Sequence, residues 1–336
     1  MVSLKDISIK CNVSVATVSK ALNDHSDISE ATKNSIRKVA REMGYFPNSF
    51  ARALKTNRTY NIGVLFVDEA QSGLTHEYFA NVLDSFKVEA ERHGYDITFI
   101  NKHMGLQPMS YYEHSKYRGV DGVVIACIDF SDPDVLKLIN SDLPVVTIDH
   151  VFDNRTAIIS DNVKGMRDLI TYIYEMGHKK IAYIHGADSS VTQNRVGSFY
   201  KTLSELGIDI PDIYVKDGIY HDADTTYRLT KELLDLKDPP TCIIFPDDFS
   251  CIGGMNAIKE YGLSIPDDIS VVGYDGVLLS QVLNPKLTTL KQDTKLLGKT
   301  AAEKLISLIE NPKANIIERV VIEGSLLCGE SVKKIN

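Results

Sequence analysis

The sequence has 336 residues, of which 43% are hydrophobic and 24% charged, with a formal net charge of −8. This length exceeds what one small core can use and predicts a globular chain of two or three domains. No stretch approaches eighteen consecutive apolar residues and no export signal is recognisable, so we expect a cytoplasmic protein without a membrane anchor. Five cysteines without a close pair and nine scattered histidines predict no disulfide framework, metal site or cofactor.

The charge is unevenly distributed along the chain. Residues 1–60 contain ten Lys and Arg against five Asp and Glu, a surplus of +5 that leaves −13 for residues 61–336. A basic head on an acidic body favours a head that meets a polyanion. The alternative, a solvated basic face without a partner, is common for such a surplus.

Three short helices are predicted at the start of the chain. Each follows a serine whose hydroxyl can accept hydrogen bonds from the first turn of a helix. Apolar spacing and stop signals place the helices over 4–10, 15–22 and 30 to about 43, after Ser3, Ser14 and Ser29. The first two are joined by a short turn, which is the layout of a helix-turn-helix unit whose second helix enters the major groove of DNA.

Four segments of this region carry a more specific pattern. They read LKDI at 4–7, VSVATVSKALN at 13–23, GYFPN at 44–48 and ARAL at 51–54. In this order and spacing they closely resemble the DNA-binding head of the LacI/GalR family of bacterial transcription regulators. Further matches, such as GHKKIA at 177–182 and PDDISVVGYD at 266–275, extend the resemblance almost to the end of the chain.

The resemblance implies a role for each residue at the start of the second helix. Val15 and Ala16 would choose bases, and both suit thymine methyl groups or close backbone approach better than hydrogen bonding. Ser14 would cap this helix, Thr17 and Ser19 would contact phosphate or act as cap donors, and Lys20 is a further predicted DNA-binding residue. Lys20 stands where the family often has arginine, and a point charge cannot reproduce the planar fork of arginine on guanine.

Residues 48–56 could form two helical turns, which are too short to be stable alone. The resemblance implies a hinge helix that orders when two copies pack together on the minor groove. Leu54 stands at the family's wedge position, where an apolar side chain kinks the duplex. Ala51 would allow close approach, and Lys55 would follow the phosphates. A polar linker with a stray leucine is the alternative.

From Tyr60 onward, apolar runs alternate with amphipathic stretches. The runs predict strands over 61–67, 95–100, 120–126, 144–149, 180–185, 241–245 and 269–274. The amphipathic stretches predict helices over 80–93, 162–176, 195–206, 223–236, 249–261 and 293–310. This alternation predicts an α/β fold of doubly wound parallel sheets covered on both faces.

The resemblance implies that this body is a two-lobed, periplasmic-binding-protein-like domain with a ligand between the lobes. We therefore expect an all-α helix-turn-helix domain over 1–46, a hinge and linker over 47–60, and an effector-binding and dimerisation domain over 61–336. Lobe 1 would comprise about 61–160 and 292–320. Lobe 2 would comprise about 162–288 and 321–336.

Ligands of open parallel sheets bind at the carboxyl ends of the strands. Arg195, Asp247 and Asp275 lie at such ends or at the start of the next helix. The resemblance implies that Arg195, at the beginning of a helix, holds vicinal hydroxyls or a carboxylate, and that Asp275 accepts sugar hydroxyls. Asp247 stands where many relatives have asparagine, and the neighbouring Asp248 is expected to cap a helix.

Four further residues complete the predicted effector site. Asp161 and Gln292 lie at the two expected crossovers between the lobes, and Gln292 matches a contact position of the family. Phe79 is the expected stacking ring from lobe 1, with a core role as its alternative. Tyr220 or His221 would supply the second wall, since the chain has no tryptophan.

The sequence contains no phosphate-binding loop, nucleophile elbow or metalloprotease motif, so we expect no enzyme activity. The leading hypothesis is a repressor that binds near-palindromic double-stranded operator DNA as a homodimer, with a tetramer left open. A small molecule would control it, and we expect a sugar, with a purine as the alternative. A solute-binding protein of a sugar transport system is one alternative. A sugar-modifying enzyme with a DNA-binding appendage is another.

Overall fold

A computed structural model describes residues 2–46, 53, 58–67, 72–313 and 316–335. Its contacts divide the chain into two units, residues 1–59 and 60–336. Within the described ranges, no helix has both the length and the apolar character needed to cross a membrane.

In its described residues the first unit contains α1 (Leu4–Cys11), α2 (Val15–Leu22) and α3 (Glu30–Glu42), which confirms the three predicted helices. Ser3 and Asp6 form the predicted capping box, and the hydroxyls of Ser14 and Ser29 accept from the first turns of α2 and α3. The buried faces of all three helices meet in one small core, formed by Ile7, Val18, Ala21, Ile36 and Ala40.

The second unit begins with the strands and helices of lobe 1. In chain order these are β1 (Asn61–Phe66), α4 (Glu77–Arg92), β2 (Asp96–Phe99), a hairpin of β3 (His103–Met104) and β4 (Gln107–Pro108), α5 (Tyr111–Arg118), β5 (Gly122–Cys127), α6 (Pro133–Ile139), β6 (Val145–Ile148) and β7 (Thr156–Ser160).

Lobe 2 follows without interruption. It contains α7 (Asn162–Glu175), β8 (Ile181–His185), α8 (Ser190–Glu205), β9 (Val215–Asp217), α9 (Ala223–Leu234), β10 (Cys242–Ile244), α10 (Cys251–Glu260), β11 (Ser270–Asp275), α11 (Leu278–Val282) and β12 (Thr288–Lys291).

The chain then returns to each lobe once more. Helix α12 (Thr294–Glu310) and β13 (Arg319–Ile322) belong to lobe 1, and β14 (Ser325–Leu327) belongs to lobe 2. The two six-stranded sheets have the orders β13-β7-β6-β5-β1-β2 and β14-β12-β11-β10-β8-β9. All their pairs are parallel except that between β12 and β14. The predicted doubly wound α/β fold is confirmed.

Close packing of α12 on α4 completes the core of lobe 1. Gly298 makes this approach possible, because a Cβ at that position would lie 2.1 Å from the carbonyl oxygen of Val82. Helix α12 also packs on strands β5, β6 and β7 of the same lobe. This late segment of the chain is therefore an integral part of the first lobe.

Two predicted helix starts are late: α4 begins at Glu77, three residues before the predicted residue 80, and the difference is larger at α8. Helix α8 begins at Ser190, five residues before the predicted start at Arg195. The side chain of Ser189 caps it by accepting from the backbone N–H of Thr192, at 3.1 Å. Arg195 therefore lies in the second turn, where its long side chain extends toward neighbouring strands.

Candidate functional site

The N-terminal half of α2 forms an exposed face on the basic first unit. Val15 is apolar yet 43% exposed, and Ser14 and Ala16 beside it are also exposed. Val18 and Ala21 occupy the opposite face and are fully buried in the core. Small apolar side chains at the open end of a helix suit contact with thymine methyl groups in a major groove.

Of the other predicted DNA-binding residues of α2, Ser14 and Thr17 form the helix cap and Lys20 carries an exposed positive charge. Thr17 donates its backbone N–H to the Ser14 hydroxyl at 3.0 Å, and the two hydroxyls lie 2.8 Å apart. Lys20 forms an ion pair with Asp27, and both side chains are about half exposed. Such surface pairs contribute little, so the ammonium can exchange Asp27 for a phosphate at small cost.

Ser19 and the predicted hinge residues are not part of this exposed face as described. The side chain of Ser19 is half-buried, and its backbone carbonyl accepts from the Asn23 amide at 2.7 Å. The predicted hinge residues Ala51, Leu54 and Lys55 lie outside the described residues.

A buried arginine forms the centre of the site in the second unit. Arg195 is only 4% exposed, and its guanidinium carbon lies 3.5 Å from the centre of the Tyr274 ring on β11. Its Nε donates to Oδ1 of Asn162 at 2.7 Å, and Nη1 donates to the carbonyl of Pro246 at 3.1 Å. These contacts fix the plane of the guanidinium. Within the described residues Nη2 makes no hydrogen bond, so it remains available to a ligand.

Asp275 ends strand β11 and lies beside this arginine. Its φ of 100° is a left-handed conformation that non-glycine residues rarely adopt. Gln292 donates its amide to Oδ1 of Asp275 at 2.7 Å. Burial raises the pKa of Asp275 to about 7, although the positive charge of Arg195 opposes the shift.

Gln292 adds a second acceptor at the same place. The residue is 5% exposed, and its Oε1 is buried with no hydrogen-bond partner in the described structure. A buried acceptor without a partner is costly, which favours a ligand that donates to it.

Lobe 1 contributes residues that the sequence did not reveal. Asp149 follows β6 with a φ of 57°, accepts from the Tyr78 hydroxyl at 2.8 Å and accepts from the Ser160 N–H at 2.7 Å. Burial, reinforced by the charge of Asp149, raises the pKa of Tyr78 well above its ordinary value. The Ser190 hydroxyl of lobe 2 donates to the backbone carbonyl of Asp149 at 3.2 Å, so a polar contact joins the two lobes beside this carboxylate. Asp149 could have been identified from its place at the carboxyl end of the predicted strand 144–149.

Adjacent aspartates after β10 have different roles. Asp247 accepts from the His221 N–H at 2.8 Å, from the Ser250 N–H at 2.7 Å and from the Ser250 hydroxyl at 2.8 Å. All these contacts are within the protein, so Asp247 positions two segments of lobe 2.

The expectation that Asp248 caps a helix is wrong. Its carboxylate accepts from the Thr289 hydroxyl at 2.6 Å and from the Val277 N–H at 2.9 Å. The turn before α10 brings Asp247, not Asp248, to the N–H of Ser250, which explains the error. Burial raises the pKa of the Asp248 carboxyl well above its usual range.

The remaining predicted residues surround the centre to different degrees. The Tyr220 hydroxyl lies 2.9 Å from that of Thr192, and its ring lies 5.8 Å from the Arg195 guanidinium. Phe79 is half-buried and packs against the rings of Phe66, His76 and Tyr78. Asp161 caps α7 by accepting from the Lys164 N–H at 2.8 Å.

The described ranges contain no group of three or more His, Cys, Asp or Glu side chains placed to hold a metal ion. The donors and acceptors of the centre are one guanidinium, several carboxylates, an amide and phenolic hydroxyls. Such a set can bind and orient a polar molecule through hydrogen bonds.

Two family models match the chain. Residues 3–48 match "Bacterial regulatory proteins, lacI family", and residues 170–332 match "Periplasmic binding protein-like domain". The chain is 30% identical over 339 residues to a probable HTH-type transcriptional repressor ExuR of Bacillus subtilis, covering 100% of this chain and 99% of the relative. It is 31% identical to the HTH-type transcriptional repressor PurR of Photobacterium profundum, covering 100% of both.

Solved structures give the same result for the fold. A lac repressor dimer bound to operator and the anti-inducer ONPF is 26% identical, covers 99% of each chain and has a TM-score of 0.81. The transcriptional regulator CelR in complex with cellobiose is 23% identical, with a TM-score of 0.72 over 98% of this chain and 100% of the other. A LacI family regulator of Enterococcus faecium with bound ribose is 23% identical, with a TM-score of 0.71 over 82% of this chain and 100% of the other.

Proposed function

Because the chain belongs to the lacI family of bacterial regulatory proteins and is a DNA-binding transcriptional repressor with an effector domain, we propose that α2 reads its operator and that a neutral sugar between the lobes controls it. The observation that carries the DNA-binding part is the exposed, apolar N-terminal half of α2 on a basic unit. Val15 and Ala16 choose bases, and Lys20 holds a phosphate.

The donor and acceptor balance supports a neutral, hydroxyl-rich effector. Oε1 of Gln292 is buried without a donor, Oδ2 of Asp275 can accept a hydrogen bond, and Nη2 of Arg195 can donate one. A sugar hydroxyl both donates and accepts, so vicinal hydroxyls can satisfy all three groups. The negative charges of Asp149 and Asp247 also act on Asp275, which disfavours an anionic ligand. The complexes of CelR with cellobiose and of the Enterococcus faecium regulator with ribose support a sugar as the class of effector.

The proposed assembly is a homodimer on a near-palindromic operator. The lac repressor neighbour is a dimer on its operator, which supports the same arrangement here. Ala51, Leu54 and Lys55 then form the hinge of a domain layout of 1–46, 47–60 and 61–336, with Leu54 as the wedge between base steps. Two-fold symmetry requires two half-sites flanking a bend.

Control operates through the arrangement of the lobes. A sugar that contacts Tyr78 or Asp149 in lobe 1 and Arg195 in lobe 2 favours the closed arrangement over the open one. The chain performs this role in the cytoplasm and without catalytic turnover of the sugar.

In vitro selection of DNA with the full chain, followed by footprinting, tests the DNA-binding part. We expect a two-fold symmetric footprint, and Leu54→Ala should reduce both affinity and bend. An asymmetric footprint, or an unchanged affinity and bend in the Leu54→Ala protein, would contradict the proposal.

Thermal-shift screening of sugars, sugar phosphates and nucleobases tests the effector part, because a ligand that binds only the folded state raises the apparent stability. We expect neutral sugars to raise it in the wild type and not in Asp275→Ala. A response confined to nucleobases or to sugar phosphates would overturn the assignment.

A further inference from the structure

Three rings from both lobes form one continuous stack. The His221 ring lies 4.0 Å from that of Phe249 with an interplanar angle of 7°, and 4.3 Å from that of His76 with an angle of 26°. His76 immediately precedes α4 of lobe 1 and is 7% exposed. His221 and Phe249 belong to lobe 2, so the stack spans the space between the lobes.

A single carboxylate positions both rings of lobe 2. Asp247 accepts from the His221 N–H and from the N–H and hydroxyl of Ser250. Phe249 lies between Asp247 and Ser250 in the chain, so these bonds also hold its segment. The φ of His221 is 56°, a conformation that requires such support. Three donors meet this side chain, and the amide nitrogen of an asparagine would face one of them without accepting. The aspartate at this position is therefore suited to the loop it holds.

Few other polar contacts in the described residues join the lobes near this stack. The Leu278 N–H donates to Oε1 of Glu77 at 2.7 Å, and the Ser190 hydroxyl donates to the carbonyl of Asp149 at 3.2 Å. Glu77 directly follows His76, so one end of α4 provides both a hydrogen bond and an aromatic contact to lobe 2. Hydrogen bonds of this kind exchange with water when the lobes separate, whereas the buried His76 ring loses its contact area with the His221 ring outright.

We propose that the His76–His221–Phe249 stack is a latch that holds the two lobes closed, and that Asp247 is the positioning residue that sets it. The consequence of the latch rests on the proposed function: the stronger the latch, the smaller the free energy that effector binding must provide to close the lobes. One aromatic contact corresponds to about a threefold to tenfold shift in the open-to-closed equilibrium.

Hydrogen exchange of the full chain without effector or DNA measures this equilibrium directly. The variants are His76→Ala, His221→Asn and the double variant, with asparagine chosen because it tolerates a positive φ. Each single variant should accelerate exchange about threefold to tenfold in peptides around Glu77 of lobe 1 and around Ser190 of lobe 2. The double variant should add nothing further, since the stack is already broken. Acceleration confined to the mutated lobe would overturn the latch.

A matched control exists within lobe 1. Phe130 stacks on His150 at 4.1 Å and 6°, with nearly the same geometry as Phe249 on His221 but without crossing between the lobes. Phe130→Leu should therefore accelerate exchange in lobe 1 alone. Asp247→Asn should reproduce the effect of His221→Asn in both lobes, and wild-type exchange in Asp247→Asn would overturn the positioning role.

A fluorescence measurement provides a second route if His221→Asn fails to fold. The chain has no tryptophan, so Phe249→Trp introduces a single reporter at the end of the stack. Adding His76→Ala, which removes a ring on the far side of His221, should shift the emission to longer wavelength as the lobes open. Unchanged emission would overturn the latch.

These outcomes separate the latch from the repressor function. Exchange that stays within one lobe rejects the latch and leaves operator binding and effector control untouched. Opening of both lobes with unchanged affinity for the selected operator supports the latch and rejects the proposed coupling between the lobes and the DNA-binding unit.

Discussion

Replacing Arg195 by methionine should destabilise lobe 2 far more than replacing an exposed arginine would, because the buried guanidinium of Arg195 is also a hydrogen-bond donor. The substitution leaves two acceptors without their donor, Oδ1 of Asn162 and the carbonyl of Pro246, at about 1–3 kcal/mol each. It also removes a buried cation from the Tyr274 ring, worth about 2 kcal/mol. Burying the guanidinium also costs free energy, and the methionine variant avoids this cost. We therefore expect a net decrease of about 3–5 kcal/mol in the free energy of unfolding.

Urea unfolding of the full chain, followed by exchange or circular dichroism, measures this loss as a lower midpoint. Arg167→Met is the matched control, because its guanidinium is half-exposed and pairs with Glu205 at 3.2 Å on the surface of the same lobe. We expect the control to lose less than about 1 kcal/mol. Equal losses in the two variants would refute the view that Arg195 organises the centre.

Three further predictions concern the DNA-binding unit and the acidic centre. Ser14→Ala removes the cap of α2 and should cost about 1 kcal/mol, seen as faster exchange of the first turn of α2; unchanged exchange would exclude a capping role. Lys20→Met should weaken binding to every operator variant alike and reduce the salt dependence of affinity by about one phosphate contact, whereas a change in base preference would contradict this. As the pH rises from 4 to 7, the free energy of unfolding should fall by up to about 1.4 kcal/mol per pH unit. The reason is that folding raises the pKa of Asp275 to about 7, so the unfolded state loses this proton at a lower pH than the folded state. Asp275→Asn should abolish this component of the slope.

Local signals account for what the sequence predicted well. The start of α2 follows from Ser14 and from apolar residues at helical spacing, both of which lie within one short segment. The alternation of strands and helices likewise defined the doubly wound fold. The predicted start of α8 is five residues late because the cap formed by Ser189 with Thr192 precedes the amphipathic pattern.

Long-range contacts account for what the sequence did not reveal. Tyr78 is a buried helical residue with an ordinary core pattern, and only the fold brings its hydroxyl to Asp149, 71 residues later. Asp149 carries a usable signal, since it ends the predicted strand 144–149 of lobe 1 as Asp275 ends β11 of lobe 2. The stack of His76 on His221 joins residues of different lobes, and no periodicity in either segment anticipates it.

The most direct test of the account is the affinity of the full chain for its selected operator, measured by fluorescence anisotropy while neutral sugars are added. We expect a sugar that stabilises the wild type thermally to change its operator affinity by about fivefold or more, as for typical coupling between two sites. The same sugar should leave the affinity of Asp275→Ala unchanged. An operator affinity that stays constant with every stabilising sugar would contradict the claim that the cleft controls DNA binding.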